Sequence, residues 1–323
     1  MRHPKLLAAV GGLLLSLSVS VQAASWNMPT PYPDTTFHTI NDNEFAKAVA
    51  AKTNNALEIK IHSAGSLFKH PEISKAVRSG QVPIGEFFLS LLNNENAVFG
   101  ADALPFLATN YDDAKKLWDA QKPIVTELFD KQGMMVLYSV AWPPQGLYST
   151  KEIKTVDDLK GLKFRSYNAT LEKFATAVGA APTQVEAPDI AQAFTTGRVE
   201  AMITSPSTGV DSKAWDFLKY YTDIQAWIPK NVVVVNKREF QRLDKAVQDS
   251  ILAAAAEAET RGWEMSKKEN TDQVEVLKKN GINVITPSPE LMDGLKKVGA
   301  TMLEDWKKES AEAGAKLLEA YQK

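Results

Sequence analysis

Four consecutive valines, Val232 to Val235, form the strongest β signal in the chain, and their position constrains the topology more than any other feature. An unbroken β-branched run belongs in a strand buried on both faces. Upstream of it, from Trp26 onward, short β-prone runs alternate with amphipathic helical stretches, the pattern of mixed or parallel sheets covered by helices. A whole lobe's worth of that alternation precedes the valines. The run is therefore expected to return to the first sheet, which makes the first lobe discontinuous in sequence.

In the first unit, residues 43–52 place Phe45 and Val49 on one helical face, and 56–62 (ALEIKIH) then alternates apolar with polar. Residues 70–78 read as a helix ended by Gly80, 82–89 as an apolar strand, 111–131 as a helix and 134–140 as a buried strand. A second unit begins near Gly146: Thr155 caps a short helix with Asp157 and Asp158 in its first turn, and 161–165 (GLKFR) is a strand. Helices over 169–178 and 188–195 and a strand over 199–203 complete it. Residues 244–279 keep Val247, Ile251, Ala254 and Ala258 on one side, with Gly262 as a soft spot; at 1.5 Å per residue this helix reaches about 50 Å, long enough to span both lobes. A short strand at 282–285 and a last helix from Pro289 close the chain. The predicted architecture is a two-lobe α/β fold with mixed sheets, a cleft between the lobes and a spanning helix. Its first lobe takes 24–146 plus about 231–260, and its second takes 147–230 plus about 261–323.

At the N-terminus, Arg2 and Lys5 precede an apolar run from Leu6 to Val21 that is short for a membrane span. Val21 and Ala23 fit a signal-peptidase site, so residues 1–23 are expected to be a cleaved signal peptide and the protein to be periplasmic, not embedded in the membrane afterwards. Cysteine is absent, so there is no disulfide framework and no lipid-modified cysteine. Without Arg2 and Lys5, 35 basic side chains face 39 acidic ones, a balance that argues against nucleic acid as a partner and leaves any anion site to a few placed donors. The four histidines, His3, His38, His62 and His70, show no metal-ligand spacing, and neither a G-x-S-x-G, a P-loop nor a G-x-G-x-x-G is present. No cofactor is expected, and a binding protein is favoured over an enzyme.

Several segments, in order, resemble the solute receptors of tripartite ATP-independent periplasmic (TRAP) transporters: 77–85 (VRSGQVPIG), 104–106 (LPF), 156–165 (VDDLKGLKFR), 178–183 (VGAAPT), 194–201 (FTTGRVEA) and the Val235-Asn236 pair followed by Leu243. The resemblance covers essentially the whole mature chain. It implies a fold that closes on its ligand and delivery to a membrane permease with a small and a large subunit; a receptor serving a signalling partner is the alternative. By the same resemblance Arg165 matches the arginine that holds the ligand carboxylate, and Asn236 matches an asparagine near the returning strand. Many members that bind sugar acids carry a further arginine just before the GLKFR strand, whereas 142–149 (WPPQGLYS) has none.

Arg165 ends a short strand immediately before Ser166 and a helix, so its planar fork can reach an interlobe crevice and match both oxygens of a carboxylate. Flat apolar groups surround it in sequence: Trp142, Tyr148 and Tyr167 are expected on its own lobe, and Phe87 and Phe88 at the end of a first-lobe strand. Gln145, Asn168, Thr204 and Ser205 are candidate hydrogen-bond partners for a 2-oxo or 2-hydroxy group. The expected ligand is a small carboxylate with an aromatic or apolar body.

Overall fold

The computed structural model describes residues 24–323; the expected signal peptide lies outside the described residues. Two sheets build the first lobe. In one, β1 (Ala24–Pro29) pairs in parallel with β2 (Leu57–His62). In the other, the valine-rich β10 (Lys230–Asn236) lies between β3 (Ile84–Phe88) and β4 (Met134–Ala141), antiparallel to both. Val232 and Val234 pack into one hydrophobic cluster with Trp118 and Phe129, while Val233 and Val235 pack into another with Phe45 and Ile251. Both faces of the strand are thus covered, which is why no polar residue interrupts the four valines. Helices α1 (Phe37–Lys52), α2 (His70–Ser79) and α3 (Tyr111–Lys131) supply that cover.

The second lobe is a six-stranded sheet in the order β11-β9-β5-β8-β6-β7. Here β5 (Gly146–Ser149) runs antiparallel to β8 (Ala201–Thr204) and β9 (Tyr220–Thr222), β6 (Lys163–Ser166) is parallel to β8 and to β7 (Ala181–Gln184), and β11 (Asn283–Ile285) is parallel to β9. Its helices are α4 (Ala169–Ala177), α5 (Ile190–Thr195) and α6 (Pro206–Asp211). The N-termini of α4 and α6 are capped by the side chains of Asn168 and Ser205, which accept from Leu171 N and Thr208 N.

After the short helix α7 (Lys237–Gln241), two long helices tie the lobes together. α8 (Lys245–Lys279) contributes Ile251, Ala254 and Ala258 to the first lobe's core and Leu277 to a second-lobe cluster. Gly262 lets it sit close on β4, since a Cβ there would come within 2.4 Å of Val140 Cγ2. The glycine is a packing contact and the helix runs through it unbroken. α9 (Pro289–Gln322) likewise serves both lobes: Leu291 and Leu295 join the second core, but Trp306 and Leu317 pack with Phe99 and Trp118 in the first. Residues 261–323, expected with the second lobe, are therefore shared, because the apolar stripe of α9 continues past the lobe boundary. The helix is interrupted at Ala311, whose φ of 48° and ψ of −131° are not helical.

Candidate ligand-binding site

A narrow cavity lies where the lobes face each other. Its volume is about 40 Å³. Tyr32, His70, Phe88 and Trp142 line it from the first lobe, and Gln145, Arg165, Tyr167, Glu186, Thr204 and Thr208 from the hinge and the second. The lobes touch around it: Asn168 Nδ2 donates to Ser90 Oγ at 2.7 Å, and the Tyr167 ring meets the edge of Phe88 at 5.3 Å. Thr36 Oγ1 donates to Asp211 Oδ2 at 2.7 Å on another side of the cleft. These contacts define a closed form.

The second lobe supplies the positive charge. Alternation along β6 sends Phe164 into the lobe core and turns Arg165 into the gap. Arg165 is only 3% exposed. Its Nε donates to the Val185 carbonyl oxygen at 3.0 Å, and the guanidinium carbon sits 5.0 Å from the centre of the Tyr167 ring. Burial pushes its pKa down to about 10, opposed by Tyr167, Glu186 and Tyr32, so it stays cationic at neutral pH. Among the described residues no carboxylate forms an ion pair with it, and Nη1 and Nη2 donate to no protein acceptor. The two-pronged face of the guanidinium is left for a ligand.

The side chains around it are held rigidly. Tyr167 donates to Gln145 Oε1 at 3.3 Å and accepts from Trp227 Nε1 at 3.1 Å, while Gln145 Nε2 donates to the Pro143 carbonyl at 2.9 Å. On the opposite wall, Asn231 Oδ1 accepts from Trp142 Nε1 at 2.9 Å and from Tyr32 OH at 3.2 Å, and Asn231 Nδ2 donates to the buried Glu86 at 2.8 Å. The Trp142 ring packs 4.2 Å from His38 and 5.0 Å from Tyr32, centre to centre. These hydrogen bonds and ring contacts fix the aromatic wall in place.

Glu186 brings a second charge. Burial alone would raise its pKa, but the hydrogen bond and electrostatic attraction of His70, a hydrogen bond from Gln184 and the nearby Arg165 outweigh it and hold the carboxyl below its usual range. A larger groove, about 820 Å³ by the same measure, lies on the outside between α4 and α9. Its two lysines, Lys173 and Lys308, pair with Glu309 at 2.6 Å and Asp305 at 2.9 Å, so among the described residues it presents no free cation comparable to Arg165.

Residues 30–312 match the family model described as bacterial extracellular solute-binding protein, family 7 (DctP). The chain belongs to this family. DctP7 of Bordetella pertussis, an extracytoplasmic solute receptor binding pyroglutamic acid, is similar over 93% of this chain and 100% of its own, with 44% identity and a TM-score of 0.92. A TRAP solute-binding protein from a marine metagenome, specific for pyroglutamate and solved with that molecule, is 40% identical with a TM-score of 0.91, over 93% of this chain and 99% of its own. The C4-dicarboxylate-binding periplasmic protein DctP of Rhodobacter capsulatus is 25% identical over 289 residues, 85% of this chain and 84% of its own. The two-lobe α/β fold expected from the sequence is the fold of TRAP solute-binding proteins.

Within this solute-binding protein, Arg165, Tyr167, Trp142, Gln145, Phe88 and Thr204 converge on the cavity. Trp142 does so from the first lobe, since it directly follows β4, and not from the lobe of Arg165. The other nominated residues lie elsewhere. Phe87 points to the opposite side of β3 from Phe88, against Phe129 at 6.1 Å. Tyr148 is fully buried against Tyr221 and donates to the Ser205 carbonyl at 3.2 Å. Ser205 and Asn168 are helix caps, and Asn168 also bridges the lobes. Asn236 caps α7 and donates to the Val77 carbonyl at 2.9 Å, at the far end of β10 from the cavity. The asparagine of β10 that backs the site is Asn231.

Tyr32, His70, Glu186 and Thr208 were not singled out from sequence for this cavity. For Glu186 a signal existed. β7 is parallel to β6, so the segment following it emerges at the same sheet edge as Arg165, where ligands of open α/β sheets sit.

Proposed function

We propose that this chain is the periplasmic receptor of a TRAP transporter that captures a small cyclic monocarboxylate of the pyroglutamate type and releases it intact to a permease made of a small and a large membrane subunit. The reading is carried by the buried Arg165 guanidinium, whose terminal nitrogens face the cavity without an acceptor of their own. A carboxylate docked there forms two parallel charge-assisted hydrogen bonds. The 44% and 40% identical relatives that bind pyroglutamate support the ligand class. So does the narrowness of the cavity, which favours a compact five-membered ring over an extended aryl or sugar acid. Phe88, Trp142 and Tyr167 offer ring faces and edges to the apolar part of such a ligand, and the Thr204 and Gln145 side chains offer polar contacts for a ring carbonyl. Among the described residues no helix is long and apolar enough to cross a membrane, which fits a receptor that meets its permease only to deliver.

The mechanism is a shift between open and closed lobes. Ligand bound to Arg165 in the closed form relieves an uncompensated buried charge, so it binds closed better than open and draws the equilibrium toward closure. Calorimetry and thermal unfolding of residues 24–323 with L-pyroglutamate, D-glucuronate, succinate and phenylpyruvate test the ligand class. Micromolar or tighter binding of pyroglutamate, with a concentration-dependent rise in unfolding temperature, is expected. A preference for the dicarboxylate or the sugar acid, or for phenylpyruvate, refutes the proposed class.

A further inference from the structure

An anion receptor with a carboxylate in its cavity needs an explanation, and Glu186 is that carboxylate. Arg165 Nε bonds to the Val185 carbonyl, so the guanidinium is fixed beside the residue adjacent to Glu186, and both side chains line the same narrow space. The two opposite charges share the space without forming an ion pair, so each is left to a ligand. An acid carrying only acceptors would meet Arg165 favourably and Glu186 unfavourably.

The carboxylate of Glu186 is held from behind. The Phe88 backbone N–H donates to His70 Nε2 at 3.0 Å, so that nitrogen keeps its lone pair and the ring proton sits on Nδ1. Nδ1 faces Glu186 Oε2 at 3.5 Å, and Gln184 Nε2 donates to Oε1 at 3.2 Å. His70 and Gln184 thus orient the group from behind. A carboxylate accepts about four hydrogen bonds, so acceptor capacity remains for the cavity. His70 comes from the first lobe and Glu186 from the second, so this arrangement is assembled when the cleft closes.

We propose that Glu186 is a specificity determinant that demands an N–H on the carbon next to the ligand's carboxylate, as a lactam provides, and rejects acids whose ring carries oxygen in that place. The proposal rests on the pyroglutamate-type reading above. The carboxylate on Arg165 and the neighbouring N–H on Glu186 make a two-point match that a 2-oxo or 2-hydroxy acid of the same shape cannot reproduce without placing a lone pair against a negative oxygen.

The test compares L-pyroglutamate with its lactone isostere, 5-oxotetrahydrofuran-2-carboxylate, by calorimetry on the wild type and on Glu186→Gln. A site built to bond an N–H rejects the analogue lacking it strongly, so the wild type should favour the lactam by roughly a hundredfold or more. The glutamine amide can turn either its oxygen or its nitrogen to the ring, so E186Q should bring the two affinities to within about fivefold by lifting the lactone. A wild type that binds both ligands equally overturns the proposal while leaving the pyroglutamate reading intact, and needs no variant to fold. An E186Q protein that keeps the full ratio also overturns it. If the wild type does not bind pyroglutamate at all, the ligand reading falls and this inference falls with it.

Discussion

Among the described residues two cations are buried, Lys230 at the hinge and Arg165 in the cleft, and they are accommodated in opposite ways. Lys230 is fully buried where the chain re-enters the first lobe as β10, and it has its own counter-ion: Nζ lies 3.2 Å from Asp102 Oδ2, whose carboxylate also accepts from the Lys230 backbone N–H at 2.8 Å. The Trp118 ring adds a face 5.8 Å from the ammonium. Burial pushes Lys230 down and Asp102 up, and each opposes the shift of the other. Arg165 has one carbonyl and one ring face, enough to fix its orientation but not to neutralise it. A charge kept for architecture is paired internally, whereas a charge kept for a ligand is positioned and left uncompensated. The second arrangement makes the closed cleft depend on an anion.

Breaking the internal pair should have the largest effect. Asp102→Asn strands the buried ammonium and is expected to lower stability by about 3–5 kcal/mol in urea unfolding, and the double variant with Lys230→Met to recover most of it. Ligand affinity of the folded fraction should change little, because the pair lies outside the cavity lining. Arg165→Ala should do the reverse: affinity falls by roughly 10²–10³-fold, while the unliganded protein unfolds at the same temperature or higher, since an unpaired buried charge has gone. Arg165→Lys should restore only part of the affinity, a point charge replacing a fork. An alanine variant that binds like the wild type would erase the distinction between the two cations.

Sequence alone exposed one of these cations and hid the other. Arg165 stands out because GLKFR leads into the four-residue strand Lys163–Ser166 and a capped helix, among segments that resemble the TRAP solute receptors. Lys230 looks like any lysine entering a strand, and its partner is 128 residues away. Phe87 and Phe88 could not both face the cleft, since neighbours on a strand point to opposite sides; which one does is set by the pairing of Asn231 with Phe88 and Val232 with Phe87. Tyr32 and His70 sit in a loop and at a helix start, where no periodicity assigns a face. The strands, the spanning helix and the return of the valines were legible because burial leaves a pattern in the residues themselves. The wall built on Asn231 and Glu86 was not, because tertiary contacts alone define it.

Another buried titratable group, His38, sharpens the comparison, because here burial is met by discharge. Burial lowers its pKa to about 4, against the pull of Glu86 and the Val140 carbonyl, whereas the unfolded chain should titrate near 6.5. Between those values the unfolded chain takes up a proton that the folded one refuses. Stability from His38 is therefore complete above about pH 6.5 and is lost as the pH falls toward 4, by roughly 2–3 kcal/mol. Asp42 acts in the opposite sense, since burial and Glu86 raise its pKa, so the folded carboxyl holds its proton more firmly than the unfolded chain does. His38→Gln removes only the first effect. Its stability, measured by denaturant unfolding from pH 7 to 4.5, should fall less steeply with acid than that of the wild type, and parallel curves would show that His38 is not held neutral.

The smallest expected effect concerns what keeps Arg165 dry. Asn168 Nδ2 donates across the cleft to Ser90 Oγ at 2.7 Å, and its Oδ1 separately caps α4. Ser90→Ala deletes the cross-lobe acceptor while leaving the cap, so it loosens closure without touching the helix. One such bond contributes about 0.5–1.5 kcal/mol, so affinity should fall between two- and about tenfold, mainly through faster dissociation. Lys230, paired on the hinge side, is insensitive to this change, and the unliganded unfolding midpoint should stay near that of the wild type. Stopped-flow release of ligand separates the outcomes: a faster off-rate at unchanged stability places the bond in the closing step, whereas an unchanged off-rate means the cleft is held shut by the ligand on Arg165 and not by contacts between the lobes.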